Sequence, residues 1–309
     1  MPGIGIITNP YSKLNKRNPR RKHLLGYIVG EHGNLTITNS LEDLSRAAEK
    51  FKSSRVEVLA ISGGDGTISR TLTAFHQVYG NEPLPKIAIL GGGTINVLKS
   101  NLGLKGTPEQ ILYRLTQAFG TNDQLESKRL HAIDVDGNLG FLFGNGISSS
   151  FLEKYYEHKS GPIGAAWWVL RVWFSSLFQG KLFRDIIQDW DFSLLRADGS
   201  SHRQRGVAVF CSTVRNMPLS IPLFTKLGDN EDSFQTICFG IRAKAILWQL
   251  PLSLLLPKKL NRLQTSFMTN KLEVTSSTKQ NYTLDGELFL ADGKTVSVGL
   301  GPELDFVTI

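Results

Sequence analysis

The sequence predicts an α/β domain built on a parallel sheet, followed by an antiparallel β domain broken by one helical insertion. Two apolar, β-branched runs each enter a glycine turn and then a helical pattern, in residues 56–75 and 86–102. From about His131 helical spacing becomes rare, and Asp-Gly pairs separate runs of alternating polarity at Asp136-Gly137, Asp198-Gly199, Asp285-Gly286 and Asp292-Gly293. Strands alternating with helices argue for a parallel sheet, whereas Asp-Gly between alternating runs is a hairpin signal.

Residues 3–8 (GIGIIT) read as a short buried strand closed by a turn at Asn9-Pro10-Tyr11-Ser12. The following loop is basic, with Lys13, Lys16, Arg17, Arg20, Arg21 and Lys22 crowded together. Such a charge run is ordinarily a solvated face, but beside a phosphate site it would draw in ATP or touch anionic lipid. Residues 41–51 (LEDLSRAAEKF) have helical spacing behind Asn39-Ser40, a reasonable N-cap pair.

The chain is organised around residues 56–75, VEVLAISGGDGTISRTLTAF. A strand of Val56, Val58, Leu59 and Ile61 runs into Gly63-Gly64-Asp65-Gly66, and after Thr67 the apolar positions Ile68, Leu72 and Phe75 take helical spacing. Thr67 is the expected N-cap. This arrangement collects backbone N–H groups and the positive end of a helix dipole at one spot, which suits phosphate. Glycines let a backbone approach an anion closely, and Asp65 could hold a magnesium ion. An isolated Gly-Gly-Asp-Gly can equally be a tight turn whose glycines only satisfy φ, so context decides. The context is a second copy: strand 86–90 (KIAIL), turn Gly91-Gly92-Gly93-Thr94 and a short helix over 95–102. On parallel sheets ligands sit beyond the carboxyl ends of the strands, so both glycine turns should face one crevice.

The 309 residues suffice for two domains, expected at 1–130 and 131–309 with the last residues free to pack back on the first domain. Hydrophobic residues at 41% and charged residues at 20% are globular values, and the formal charge of +8 favours anionic partners. Cys211 and Cys238 have no metal-binding spacing and read as buried thiols, and with no signal-sequence pattern a cytoplasmic location is the expectation. The apolar runs at 163–178 and 245–257 fall short of the roughly 20 residues that span a bilayer. Residues 161–183, with Trp167, Trp168, Trp173, Phe174, Phe178 and Phe183, and residues 247–256 with Lys258, Lys259 and Arg262 behind them, each suit either core or a membrane interface.

With Asn9-Pro10, Gly63-Gly64-Asp65-Gly66-Thr67, Gly93-Thr94-Ile95-Asn96 and Asp285-Gly286-Glu287 in this order, the chain resembles the diacylglycerol kinase catalytic family, which includes bacterial lipid kinases and sphingosine kinases. Residues 144–151, before the aromatic stretch, also fall where such kinases have a glycine turn followed by a helix. The first glycine motif is shared with NAD kinases, and the late Asp-Gly-Glu sharpens the resemblance. It implies a nucleotide-binding α/β domain, a β-sandwich second domain, and ATP- and Mg2+-dependent phosphoryl transfer to a lipid hydroxyl in the cleft between them, with diacylglycerol or a sphingoid-type lipid as acceptor. By the same resemblance Asn9, Gly63, Gly64, Asp65, Gly66, Thr67, Gly93 and Thr94 would hold the nucleotide, with Asn96 near the phosphates. Asp285 would deprotonate the lipid hydroxyl, Asp65 and Glu287 would join it around magnesium, and Asp134 would lie near the acceptor.

Phosphoryl transfer requires mainly positioning and charge neutralisation, which this set can supply. Four Asp-Gly pairs make a plain hairpin the competing account of Asp285, and Glu287, on the same strand face, separates it from the others. Two departures stand out. Val97 occupies a position where many bacterial members carry Asp, and the acidic loop 228–235 (GDNEDSFQ) has Ser233 and Gln235 where relatives hold a structural metal, leaving Asp229 and Asp232 as candidate ligands. The expected partners are a lipid substrate and a membrane surface met peripherally, with a homodimer allowed and no nucleic acid. An NAD kinase is the enzymatic rival, and a catalytically silent lipid or nucleotide binder is the rival from another class.

Overall fold

Apolar side chains on both faces of short strands explain the first half of the computed structural model, which describes residues 3–93, 96–121, 125–157, 188–228, 232–240, 264–277 and 280–309. Strands β1 (Ile4–Thr8), β2 (Gly33–Ile37), β3 (Val58–Ser62) and β4 (Lys86–Ile89) lie parallel in the order β2-β1-β3-β4. Ile7, Leu59, Ile61, Ile87 and Ile89 pack on helices α3 (Leu41–Ser53) and α4 (Asp65–Tyr79). Their neighbours Ile4, Ile6, Val58, Ala60 and Ala88 pack on α2 (Arg21–Val29) and α6 (Pro108–Gly120) on the opposite face. A parallel sheet covered on both sides reads as continuous apolar runs, which is how these strands read in the sequence.

The helices follow their patterns. Ile68, Leu72 and Phe75 of α4 are all buried. Ser40 caps α3 by accepting the Asp43 N–H at 3.1 Å, while the Asp43 carboxylate takes the Ser40 N–H at 3.2 Å. The basic stretch after Ser12 is not a loop, as expected, but helix α1 (Lys13–Arg17) and the first turn of α2. The Leu14 N–H donates to Gly92 O at 3.1 Å, which seats this basic segment beside the second glycine turn.

The second half is antiparallel. Strands β5 (Ser127–Val135), β6 (Asn138–Gly140), β7 (Leu142–Gly146), β8 (Trp190–Arg196), β9 (Ser201–Gly206), β10 (Ala208–Ser212), β11 (Asn216–Met217), β12 (Ile221–Pro222), β13 (Phe234–Phe239), β14 (Gln264–Thr269), β15 (Lys271–Ser276), β16 (Asn281–Leu284), β17 (Glu287–Leu290) and β18 (Thr295–Val307) complete the chain. One sheet runs β14-β13-β10-β7-β16-β17. It packs on β5, β8, β15 and β18 through Ile133, Phe143, Phe192, Leu194, Phe234, Leu272, Val274, Leu284, Val296 and Val298. The long β18 pairs with β15, bends at a bulge between Leu300 and Glu303, and reaches β4 in parallel at Phe306 opposite Ile87. One ten-stranded sheet thus runs from the α/β part into the β part.

Three of the four Asp-Gly pairs turn hairpins, between β5 and β6, β8 and β9, and β16 and β17. Asp292-Gly293 does not, because β17 and β18 belong to different sheets and the turn carries the chain from one to the other. Cys211 and Cys238 are buried and unbridged, and burial pushes both thiols up. Among the described residues no helix is long and apolar enough to cross a membrane. Thr94, Asp229, the aromatic stretch 161–183 and the apolar run 247–256 lie outside the described residues.

Candidate active site

The two glycine turns touch. Helix α4 begins at Asp65 with Gly64 as its N-cap, so Thr67 is not the cap but stands in the first turn. It accepts the Asn9 Nδ2 hydrogen bond at 2.9 Å, tying the end of β1 to the helix start. A Cβ on Gly93 would lie 2.6 Å from the Gly64 Cα, which only a pair of glycines can accommodate. Asn96, left-handed at φ 53°, accepts the Gly93 N–H through Oδ1 at 3.0 Å and caps the short helix α5 (Val97–Asn101) by position. The Asp65 carboxylate reaches the same helix start and accepts the Leu98 N–H at 3.4 Å. Asn9, Gly63, Gly64, Asp65, Gly66, Thr67, Gly93 and Asn96 therefore gather beyond the carboxyl ends of β1, β3 and β4.

The acidic hairpin comes from the other half of the chain. Asp285 and Gly286 both have positive φ, 49° and 80°, the conformation of a tight two-residue hairpin turn. The Asp285 carboxylate accepts the Phe141 N–H at 3.0 Å and the Leu142 N–H at 2.9 Å, and its own N–H donates to Leu142 O at 3.0 Å. The segment that cradles it is pinned to α4: the Leu139 N–H donates to Thr73 Oγ1 at 2.9 Å, and Ser69 Oγ donates to Leu139 O at 2.5 Å. One helix thus carries Asp65 at its tip and, along its side, the polar pair that positions the cradle of Asp285.

Glu287 lies against α4. A Cβ on Gly66 would collide with its carboxylate. Arg70, one turn further along, donates Nε to Glu287 Oε2 at 2.6 Å and also approaches through Nη2.

These contacts set the protonation chemistry. Burial pushes the Asp285 carboxyl up to about 7; the negative charges of Asp65 and Glu287 add to this, against the pull of the Phe141 and Leu142 N–H groups. The residue as a whole keeps partial exposure while its carboxyl is enclosed by protein atoms. Burial also raises Asp65, against the N–H groups at the start of α5. A carboxyl near 7 can take up a proton and release it at neutral pH.

Asp134 and Asp232 have partners of their own. Asp134 accepts the Gly137 N–H at 2.8 Å inside the β5–β6 hairpin, and its charge acts on Asp136 and Tyr282. Asp232 is exposed, with Oδ1 3.4 Å from His131 Nε2. Among the described residues no group of three His, Cys, Asp or Glu side chains is arranged to hold a metal. A wide cavity of about 540 Å³ lined by Asp232, Asn270, Lys271 and Gly299 contains none of Asp65, Asp285 and Glu287.

Sequence reasoning missed Arg70, Ser69, Thr73 and the backbone cradle at Phe141 and Leu142. Ser69 and Thr73 gave a signal, since they are polar at positions i and i+4 beside the buried ridge of Ile68 and Leu72. Arg70 gave none, because its partner is 217 residues away.

Residues 4–126 match the family of the diacylglycerol kinase catalytic domain. No curated protein matches the chain. Among solved structures, a diacylglycerol kinase from Bacillus anthracis str. Sterne superposes with a TM-score of 0.70 at 16% identity, over 99% of this chain and 97% of that one. Two further structures of a provisionally named diacylglycerol kinase from the same strain give TM-scores of 0.72 at 16% and 15% identity, with the same coverage. The fold is thus the mixed one of those structures, a parallel α/β part followed by an antiparallel β part.

Proposed function

Taking the diacylglycerol kinase catalytic match over residues 4–126 as the premise, we propose that this chain transfers the γ-phosphate of ATP to the hydroxyl of a lipid, diacylglycerol or a sphingoid-type lipid, in the cleft between its two halves. The observation that carries the reading is Asp285, a carboxyl held near neutrality beside Asp65 and the paired glycine turns. The turns and the start of α4 supply N–H groups for the phosphates. Asn9 and Thr67, bonded to each other, hold the edge of that cradle. Asp285, as carboxylate, takes the proton of the lipid hydroxyl, a role worth about 10² to 10⁴ in rate. The Phe141 and Leu142 N–H groups fix its orientation.

Magnesium would be held by Asp65 together with nucleotide phosphates and water, which fits an ion that keeps several waters and needs only one or two carboxylates. It would supply neutralisation of phosphate charge. Asp134, at the β5–β6 hairpin, is proposed as an acceptor-side residue, and a metal at the 228–235 loop has Asp232 as its described candidate.

Contact with a membrane surface is supported by the basic helices beside the second glycine turn, where Lys16, Arg17 and Arg20 are exposed next to Tyr11, Leu24 and Tyr27. Labelled ATP with Mg2+ and a panel of diacylglycerol, sphingoid base and NAD tests the proposal. Label on a lipid supports it; label on NAD alone, or on nothing, overturns it.

A further inference from the structure

Helix α4 presents a slot. Gly66 and Arg70 stand four residues apart, hence on one helix face, and the Glu287 carboxylate occupies the space over them. The missing side chain at Gly66 makes the room, and the Arg70 guanidinium closes it with two nitrogens on Glu287 Oε2. A guanidinium stays protonated at every working pH, so this neutralisation does not depend on pH. A divalent ion seeking the same carboxylate either displaces it from Oε2 or binds at Oε1 against its repulsion. Both side chains keep solvent access, 53% for Arg70 and 27% for Glu287, so the displacement is open to competition.

We propose that Arg70 is a positioning residue that acts as the resident cation of Glu287, fixing the carboxylate over Gly66 and withholding it from a divalent ion, so that Asp65 is the carboxylate left for one. The inference rests on the kinase reading of the cleft and revises the metal role the family resemblance implies for Glu287. Arg70 contributes at that carboxylate the charge that a second ion would otherwise supply, and it ties the acidic hairpin to the helix that carries Asp65.

The test is Mn2+ binding, followed by electron paramagnetic resonance at physiological ionic strength with and without ATP, in wild type, Arg70→Ala, Arg70→Lys and Arg70→Ala with Glu287→Gln. Circular dichroism verifies that each folds. Freeing Glu287 from a solvent-exposed ion pair is expected to tighten Mn2+ binding about fivefold in Arg70→Ala. Glu287→Gln is expected to abolish the gain, and Arg70→Lys to stay near wild type. An unchanged affinity in Arg70→Ala overturns the proposal, as does failure of every variant to bind Mn2+. A gain that survives Glu287→Gln also overturns it, since that would reflect only the removed positive charge. Absence of lipid phosphorylation by wild type would remove the kinase reading and leave the Mn2+ comparison standing.

Discussion

Replacing Asp285 by Asn should stabilise the fold at alkaline pH while abolishing turnover. The carboxyl is held up to about 7 against its ordinary 3.8. A group raised on folding contributes stability that is complete below the unfolded value and lost as pH rises through the folded one. Wild type therefore gives up this contribution between about pH 4 and pH 7. The gap corresponds to a ceiling of roughly 4 kcal/mol, which partial solvent access to the residue reduces to about 2 kcal/mol. Asparagine can keep Oδ1 on the Phe141 and Leu142 N–H groups, where Asp285 Oδ1 now accepts both. Its Nδ2 replaces Oδ2, which now also accepts the Phe141 N–H at 3.1 Å, and the substitution removes the negative charge that Asp65 and Glu287 oppose. Thermal or urea unfolding of both proteins across pH 4 to 9 should give coinciding stabilities at the acid end and an advantage to Asp285→Asn that grows to its plateau above about pH 7. A pH-independent difference, or a variant less stable at pH 8, would refute the claim that this carboxyl is ionised against the will of its surroundings.

Gly66→Ala should displace Glu287 and cost about 1 to 3 kcal/mol, as overpacking does, with phosphoryl transfer falling alongside; urea titration and the labelled-ATP assay check the two halves. Thr73→Val should leave the Leu139 N–H without its acceptor and cost about 1 to 3 kcal/mol, with turnover reduced because the segment that cradles Asp285 loses this tie to α4. Ser40→Ala removes the α3 cap and should cost about 1 kcal/mol, with kcat and KM unchanged, because the hydrogen bonds of that cap stay within Asn39, Ser40 and Asp43. In the lipid assay, kcat/KM should rise as pH passes through about 7, since the deprotonated Asp285 is the base.

The local half of this account was legible in the sequence. Residues 63–67 and 91–93 announce their turns because glycine and a change of hydrophobic period are short-range signals, and β1, β3 and β4 are readable because burial on both faces leaves unbroken apolar runs. The turn at Asp285-Gly286 was readable, and Glu287 with the family resemblance singled it out of the four Asp-Gly pairs, but the structure that sets it apart was not. What distinguishes it is the cradle at Phe141 and Leu142, made of main-chain N–H groups that carry no side-chain signature. Asp292-Gly293 looked like a hairpin because pairing between sheets and pairing within one share the same residues. The basic helices α1 and α2 were hidden by their charge, since apolar spacing is sparse there and Leu25 and Val29 are the buried apolar positions of α2.

The account depends on the first glycine turn and the acidic hairpin facing each other closely enough for Asp65 to act on Asp285. Carbon-13 carboxyl titration of Asp285 by NMR, in wild type and in Asp65→Asn, measures this without substrate or turnover. A wild-type midpoint near 7 that moves down in Asp65→Asn is the predicted result. A midpoint in the ordinary carboxylate range, or one indifferent to Asp65, would contradict it.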